Sequence, residues 1–211
     1  MLVGKRVVLE DIDPDNIEWM RQQRNMSEMR QYFREWKDIS KDQQEAWYKS
    51  RGNNSDPNHV YFQIMAIPEK NGSGVLELPT KHNMLYGQLD AKKQRELAVS
   101  ERCVIGACGL HYIDWRLRSA EFGIFISKEA RCLGLGKEAL LMLCNYGFRE
   151  VNLHKIFAEV YDNNKALGLY TSVGFSTDGV FRDNYFCDGK YGNSHLISVL
   201  EDEWFRLHDK R

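Results

Sequence analysis

The chain has five cysteines, Cys103, Cys108, Cys132, Cys144 and Cys187, and lacks any CxxC pair. Their odd number and the absence of His or Cys neighbours at ligand spacing speak against a zinc site. Free, reduced thiols and no metal are expected. An uninterrupted apolar run of about 18 residues is also missing, so no segment is expected to span a bilayer. The opening residues, MLVGKRVVLEDIDP, reach a charge by Lys5 and have no apolar stretch of signal-peptide length. A cytoplasmic protein without a membrane partner is the expectation. Positive charge is not in excess either. Lys and Arg number 29 against 30 Asp and Glu, a formal net charge of -1, so the balance gives no footing for nucleic-acid binding. Any cation that matters acts locally.

What is present suits one folded domain. At 211 residues with 43% apolar content, the chain is long and apolar enough to bury a sizeable core. The stretch from Phe122 to Phe148 organises the reading. An apolar, β-branched and aromatic run passes through Arg131-Cys132-Leu133-Gly134-Leu135-Gly136. A helical pattern follows, with Ala139, Leu140, Leu143, Cys144 and Gly147 on one face. A strand, a glycine-spaced loop and a helix N-terminus in that order form a candidate phosphate cradle, because the first-turn N–H groups point at an anion that glycine lets approach.

Before it, Lys5 to Leu9 reads as a strand. Asp13-Pro14-Asp15 caps a helical region that runs on through Met26 to Phe33, and Ser40-Lys41-Asp42-Gln43 resembles a capping box. Trp19, Tyr32, Phe33, Trp36, Trp47 and Tyr48 there read as core and groove-lining aromatics. His59 to Ile67 is a strand. Residues 68–102 read as an insertion too poor in apolar residues for its own core: a turn at Asn71 to Gly74, an extended piece from Leu76 to Pro79 and a small helix from Asp90 to Val99. A segment of this kind serves as a lid, a disordered loop or a dimer arm, so a homodimer stays open. Cys103 to Tyr112 and Glu121 to Ile126 form a hairpin around Arg116-Leu117-Arg118. His154 to Tyr161 is a strand, followed by a helix from Lys165 to Val173 capped by Asp162-Asn163 and closed by Gly174. Val180 to Phe186 and Leu196 to Leu200 end the chain around Asp188-Gly189. The result is a mixed α/β sheet.

Arg131-x-x-Gly134-x-Gly136 and Asn163-x-x-Ala166-x-x-Leu169-Tyr170-x-x-x-Gly174-Phe175, in that order, resemble the two cofactor motifs of the GNAT superfamily of acetyl-CoA-dependent N-acetyltransferases. Arg24-Asn25, Trp47, Asp114-Trp115-Arg116, Ser119-Ala120-Glu121, Arg182-Asp183 and Asp188-Gly189-Lys190-Tyr191 are similar to its ribosomal-protein N-terminal, polyamine and amino-sugar branch. Gly192-Asn193-Ser194 departs from that pattern where an acidic residue is expected. The resemblance covers nearly the whole chain outside 68–102. It implies a mostly antiparallel sheet of about six to seven strands with a parallel, splayed central pair and helices on both faces.

The same resemblance implies acetyl-CoA as cosubstrate, attacked directly by a primary amine in a ternary complex. The pantetheine arm would lie against the strand carrying Phe125 and Ile126, with Gly123 suited to a bulge or close approach. Cys132, Leu133, Gly134, Leu135, Gly136 and Lys137 would offer loop N–H groups to the pyrophosphate, with Arg131 and Lys137 adding charge. Asn163 would touch the cofactor arm, and Tyr170 would protonate the departing thiolate. Glu121 is the candidate base, directly or through water, though it reads equally as a charge paired with an arginine. His111 is the other candidate. The acceptor stays open between a polyamine, an amino sugar and a peptide N-terminus. A catalytically inactive CoA-binding module of the same fold is the alternative function.

Overall fold

The computed structural model describes residues 1–67, 103–209 and, as backbone alone, 69–70 and 76–77. Eight strands form one sheet in the order β1-β2-β3-β6-β7-β8-β10-β9. They are β1 (Leu2–Val3), β2 (Val7–Glu10), β3 (Val60–Ala66), β6 (Cys103–Asp114), β7 (Ser119–Ile126), β8 (Lys155–Tyr161), β9 (Ser176–Cys187) and β10 (Lys190–Leu200). A separate two-stranded pair joins β4 (Glu69–Lys70) to β5 (Leu76–Glu77). Every neighbour in the main sheet is antiparallel except β7 and β8. The count of eight exceeds the expected six to seven. The expected helix at Asp90 to Val99 lies outside the described residues.

The helices are α1 (Ile17–Asn25), α2 (Ser27–Arg30), α3 (Lys41–Trp47), α4 (Leu135–Arg149), α5 (Leu167–Ser172) and α6 (Glu201–His208). Asp13 Oδ1 accepts from Asp15 N–H ahead of α1, and Ser40 and Gln43 form the reciprocal capping box that the sequence announces at α3. α4 buries Leu135, Ala139, Leu140, Leu143, Cys144, Gly147 and Phe148 on one face of the sheet. α6 joins it there: Trp204 is fully buried, stacks near Phe148 and donates from Nε1 to Asn145. Across the sheet, Trp19 of α1 and Phe33 reach Phe125 of β7, so α1 to α3 cover the other face.

Several local expectations change. The helix ahead of Phe175 runs only over Leu167–Ser172, and it is Asn164, not Asn163, whose side chain accepts from Ala166 N–H. Helix α2 is a single turn rather than a run to Phe33. Trp36 is 80% exposed rather than groove-lining. Gly123 pairs in register with Gly109, with no bulge beside it; the register breaks instead between His111 and Asp114. A Cβ at 123 would stand 2.5 Å from His111 Nε2, so the glycine makes room for that imidazole.

Candidate functional site

The parallel pair is short. β7 and β8 meet only at Ser119 with Lys155, Ala120 with Ile156 and Glu121 with Phe157. β7 stays paired to β6 as far as Ile126, and β8 stays paired to β10 as far as Tyr161. Beyond Glu121 the sheet therefore opens between two strands that are each held from outside. The Ser127 N–H bonds Ile105 O, which fixes the phase of the β6–β7 ladder. By alternation, Phe125, Gly123 and Glu121 turn their backbone groups to β6, and Ile124 and Ile126 turn theirs into the gap. Of the two expected contacts on this strand, Ile126 thus faces the gap by its backbone. Phe125 instead places its ring between Trp19 and Phe33.

At the far end of β7 a 3₁₀ turn over Lys128–Ala130 leads into the loop. Cys132 (φ 64°) and Gly134 (φ 80°) are both left-handed, and this turns the chain sharply into the first turn of α4. The alternation of conformations and the helix start aim successive N–H groups outward, which suits an anion. Leu135 is fully buried beneath this turn, so only its backbone is in position to contribute. Arg131 does not stand free: its Nε donates to Ile126 O at 3.0 Å, and its guanidinium packs on Met29 Sδ. Lys137 is exposed on the first turn. Arg6, which the sequence reading missed, donates to Leu133 O at 2.9 Å and is joined to Glu138 at 3.5 Å, pinning the loop to the start of β2.

Tyr170 of α5 packs edge-on against Phe122, ring centroids 5.3 Å apart at 78°. Phe122 is the first residue past the last paired position, so Tyr170 sits where the strands part. Burial alone pushes its phenol up to about 12, with no hydrogen bond or charge among the causes. The group therefore carries its proton throughout the neutral range. Asn163 lies near α2, its Nδ2 at 3.5 Å from Gln31 Oε1. Its Oδ1 is enclosed and unpartnered among the described residues. Such an acceptor calls for a donor, and an amide N–H of a pantetheine arm has the right chemistry.

On the opposite face from Tyr170, two carboxylates converge. Glu121 and Glu159 are each only 17% exposed, and Arg34 joins them: Nη2 lies 2.8 Å from Glu121 Oε1 and 3.1 Å from Glu159 Oε2. Burial opposes the charge on Arg34, but the two carboxylates outweigh it and leave the guanidinium more firmly protonated than usual. The arginine opposite Glu121 is thus present, and Glu159 is a second acid that the sequence reading did not single out. The β-strand alternation that places Phe157 beside Glu121 also puts Glu159 on the same face. Asn184 donates from Nδ2 to both Glu159 and Ser194 Oγ, and an open recess of about 540 Å³ lined by Val180 to Asn184 lies beside it. Gly192, Asn193 and Ser194, where the acidic residue is missing, lie on β10 behind this wall: Asn193 Oδ1 accepts from Asp183 N–H and Ser194 Oγ from Asn184. Asn193 N–H donates to Asp162, and a Cβ at Gly192 would fall 2.4 Å from the Tyr185 ring.

His111 stands beside Glu121 in register, among His59, Tyr61 and Tyr112. Burial first, then the charge of His59 and the nearby arginines, lowers it to about 3. A neutral imidazole with so little affinity for a proton is a poor base.

A strand pair that parts around a loop-and-helix anion cradle is the architecture of an acyl-CoA-binding transferase fold. Residues 6–176 match the family model described as the acetyltransferase (GNAT) domain, and the chain belongs to that family. It is 34% identical over 92 residues to the spermidine N(1)-acetyltransferase of Escherichia coli K12, covering 43% of this chain and 50% of that one. It is 30% identical over 100 residues to a putative ribosomal N-acetyltransferase of Bacillus subtilis, covering 47% and 55%. The chain spans about half the length of these curated relatives. In fold it is similar to the crystal structure of spermidine N-acetyltransferase from Vibrio cholerae in complex with CoA and spermine. There the TM-score is 0.73 at 22% identity, covering 95% of this chain and 98% of the other. Among the described residues no helix is long and apolar enough to cross a membrane.

Proposed function

We propose that this chain is a single acetyltransferase domain that moves an acetyl group from acetyl-CoA to a primary amine carrying positive charge, a polyamine being the acceptor class best supported. The observation that carries the reading is the gap between β7 and β8, with an anion cradle at one end and two carboxylates at its mouth. The residues that would hold acetyl-CoA are the backbone of Ile126, the loop Arg131 to Gly136, Lys137 and Asn163, whose Oδ1 is unpartnered among the described residues. Phe125 turns its backbone to β6 and packs its ring between Trp19 and Phe33, so it supports the strand without facing the gap. When bound, acetyl-CoA supplies an acetyl thioester.

The chain's own residues then have two proton tasks. An aliphatic ammonium near pKa 10 must lose its proton before it can attack, and Glu121 at the parting of the strands is the carboxylate placed to take it, directly or through water. Tyr170 keeps its proton until negative charge develops on sulfur and then donates it. The two groups approach the gap from opposite faces of the sheet, so proton removal and proton delivery do not compete for one position.

The test is release of free thiol from acetyl-CoA in the presence of spermidine, with cofactor binding followed by calorimetry. Turnover on spermidine supports the reading, and turnover confined to N-terminal peptides moves the acceptor to that class. Coenzyme A binding without thiol release across polyamines, aminoglycosides, amino sugars and peptides favours the inactive module. For Glu121→Gln, kcat is expected to fall about 10- to 100-fold with loss of the acidic limb of the pH–rate profile. An unaltered profile removes the base assignment.

A further inference from the structure

Among the described residues, Arg34 is the one that connects the carboxylates at the mouth of the gap to the helical cover above them. It stands in the segment between α2 and α3, and this segment is strapped down on both sides. Arg24 pairs with Glu35 at 2.7 Å, Arg30 pairs with Asp38, and Asn25 exchanges hydrogen bonds with the backbone of Ile39 at 2.9 and 3.0 Å. Arg21 adds a bond to Ile39 O at 3.0 Å. The strap thus has its own anchors without Arg34. The Arg34 side chain is 58% exposed, while the carboxylates it bridges are 17% exposed. A solvent-facing cation therefore covers two acids that water barely reaches.

The charges do not balance. Glu121 and Glu159 bring two negative charges to one guanidinium, and the Glu121 carboxylate makes no hydrogen bond among the described residues except to Arg34. While that bond stands, the lone pairs that would receive an ammonium proton are engaged. We propose, resting on the reading of this site as an amine acetyltransferase, that Arg34 is a tethered stand-in for the acceptor's cation. It occupies the ammonium subsite of Glu121 and Glu159 in the free protein, and the acceptor displaces it. Selectivity follows from that competition. An amine must bring enough positive charge to replace a guanidinium held by two carboxylates, so cationic acceptors are favoured over zwitterionic ones. Displacement also frees Glu121 only when an ammonium has arrived.

The deciding variant is Arg34→Ala. Removing the competitor is expected to lower KM for spermidine about two- to fivefold while kcat changes less than twofold, a magnitude suited to a partly exposed ion pair. Ethylguanidinium added to Arg34→Ala is expected to raise KM for spermidine back toward the wild-type value as a competitive inhibitor. A second variant, Glu159→Gln, is expected to raise KM for spermidine about tenfold with coenzyme A affinity unchanged. A higher KM or an abolished kcat in Arg34→Ala overturns the proposal, because Arg34 would then be holding the acceptor or the site. Should the wild-type protein acetylate no amine, the acetyltransferase reading fails by itself. Calorimetric binding of spermidine still decides the subsite: tighter binding to Arg34→Ala than to wild type supports it, and equal or weaker binding overturns it.

Discussion

The two halves of the gap are built in different ways. The half proposed for the cofactor is made of backbone: gap-facing strand groups of Ile124 and Ile126, left-handed Cys132 and Gly134, and the first turn of α4. The half proposed for the acceptor is made of side chains drawn from far apart in the chain, with Arg34 reaching 87 residues to Glu121 and 125 to Glu159. A backbone site is fixed by conformation and depends little on which side chains flank it. A site of ion pairs is set by a few side chains and is easily retuned. The chemistry between them falls to single residues, so substitutions should separate the halves cleanly.

The largest effect should come from Tyr170→Phe, which removes one hydroxyl at the parting of the strands and keeps the packing on Phe122 and Phe175. Turnover is expected to fall about 100-fold or more, in the range for loss of a general acid, with coenzyme A affinity unchanged. Steady-state kinetics beside calorimetry decides it. Unchanged turnover would make Tyr170 a core residue and leave the two halves without a shared proton donor.

Next is Gly134→Ala, aimed at the backbone half alone. At φ 80° an L-residue costs about 1–2 kcal/mol, and its Cβ would stand 2.9 Å from Arg6 Nη2. Coenzyme A affinity is expected to weaken about tenfold, while the KM ratio between different amines stays as in wild type. A changed amine preference would show that the halves are coupled through the loop.

The same division explains what was readable in advance. The loop, α4 and the Ser40 capping box are local patterns in which each residue specifies its own neighbours within one or two turns, and the sequence reading placed them closely. The parallel pair was legible because a helical crossover between neighbouring strands allows little else. Arg34, Glu159 and Arg6 were not, since nothing near residue 34 or residue 6 in the chain marks a partner more than 80 residues away. Helix α6 escaped for another reason. It follows β10 without a connecting residue, and its N-terminus is secured by Glu203 Oε2 accepting from Leu200 N–H rather than by a Ser, Thr, Asp or Asn cap. Gly123 showed a need for space, but only the fold reveals that His111 fills it.

His111 offers a smaller test, on stability rather than turnover. Its folded-state value of about 3 lies below the unfolded 6.5, so the unfolded chain takes up the proton first as pH falls. The contribution is fully present above pH 6.5 and is lost progressively toward pH 3. Denaturant titrations of wild type and His111→Gln should therefore differ in slope only below pH 6.5, with the variant less acid-sensitive. Parallel curves would mean that His111 is protonated in the fold beside Glu121, which would return it to consideration as a proton carrier.

The smallest effect should be that of Trp36→Ala. The ring is 80% exposed, with the Lys37 ammonium 4.3 Å from its centroid, and it stands on the strap between the Arg30–Asp38 and Arg24–Glu35 ion pairs. A cation over an exposed ring contributes about 0.5–1 kcal/mol at most. Unfolding free energy should change by about 0.5 kcal/mol, and KM for spermidine should not move, because the strap keeps its other anchors and Arg34 keeps its carboxylates. A several-fold rise in KM would sharpen the contrast between the halves in an unexpected direction. The acceptor would then be held by an aromatic surface as well as by charge, and the strap would close over the amine instead of only carrying Arg34 to it.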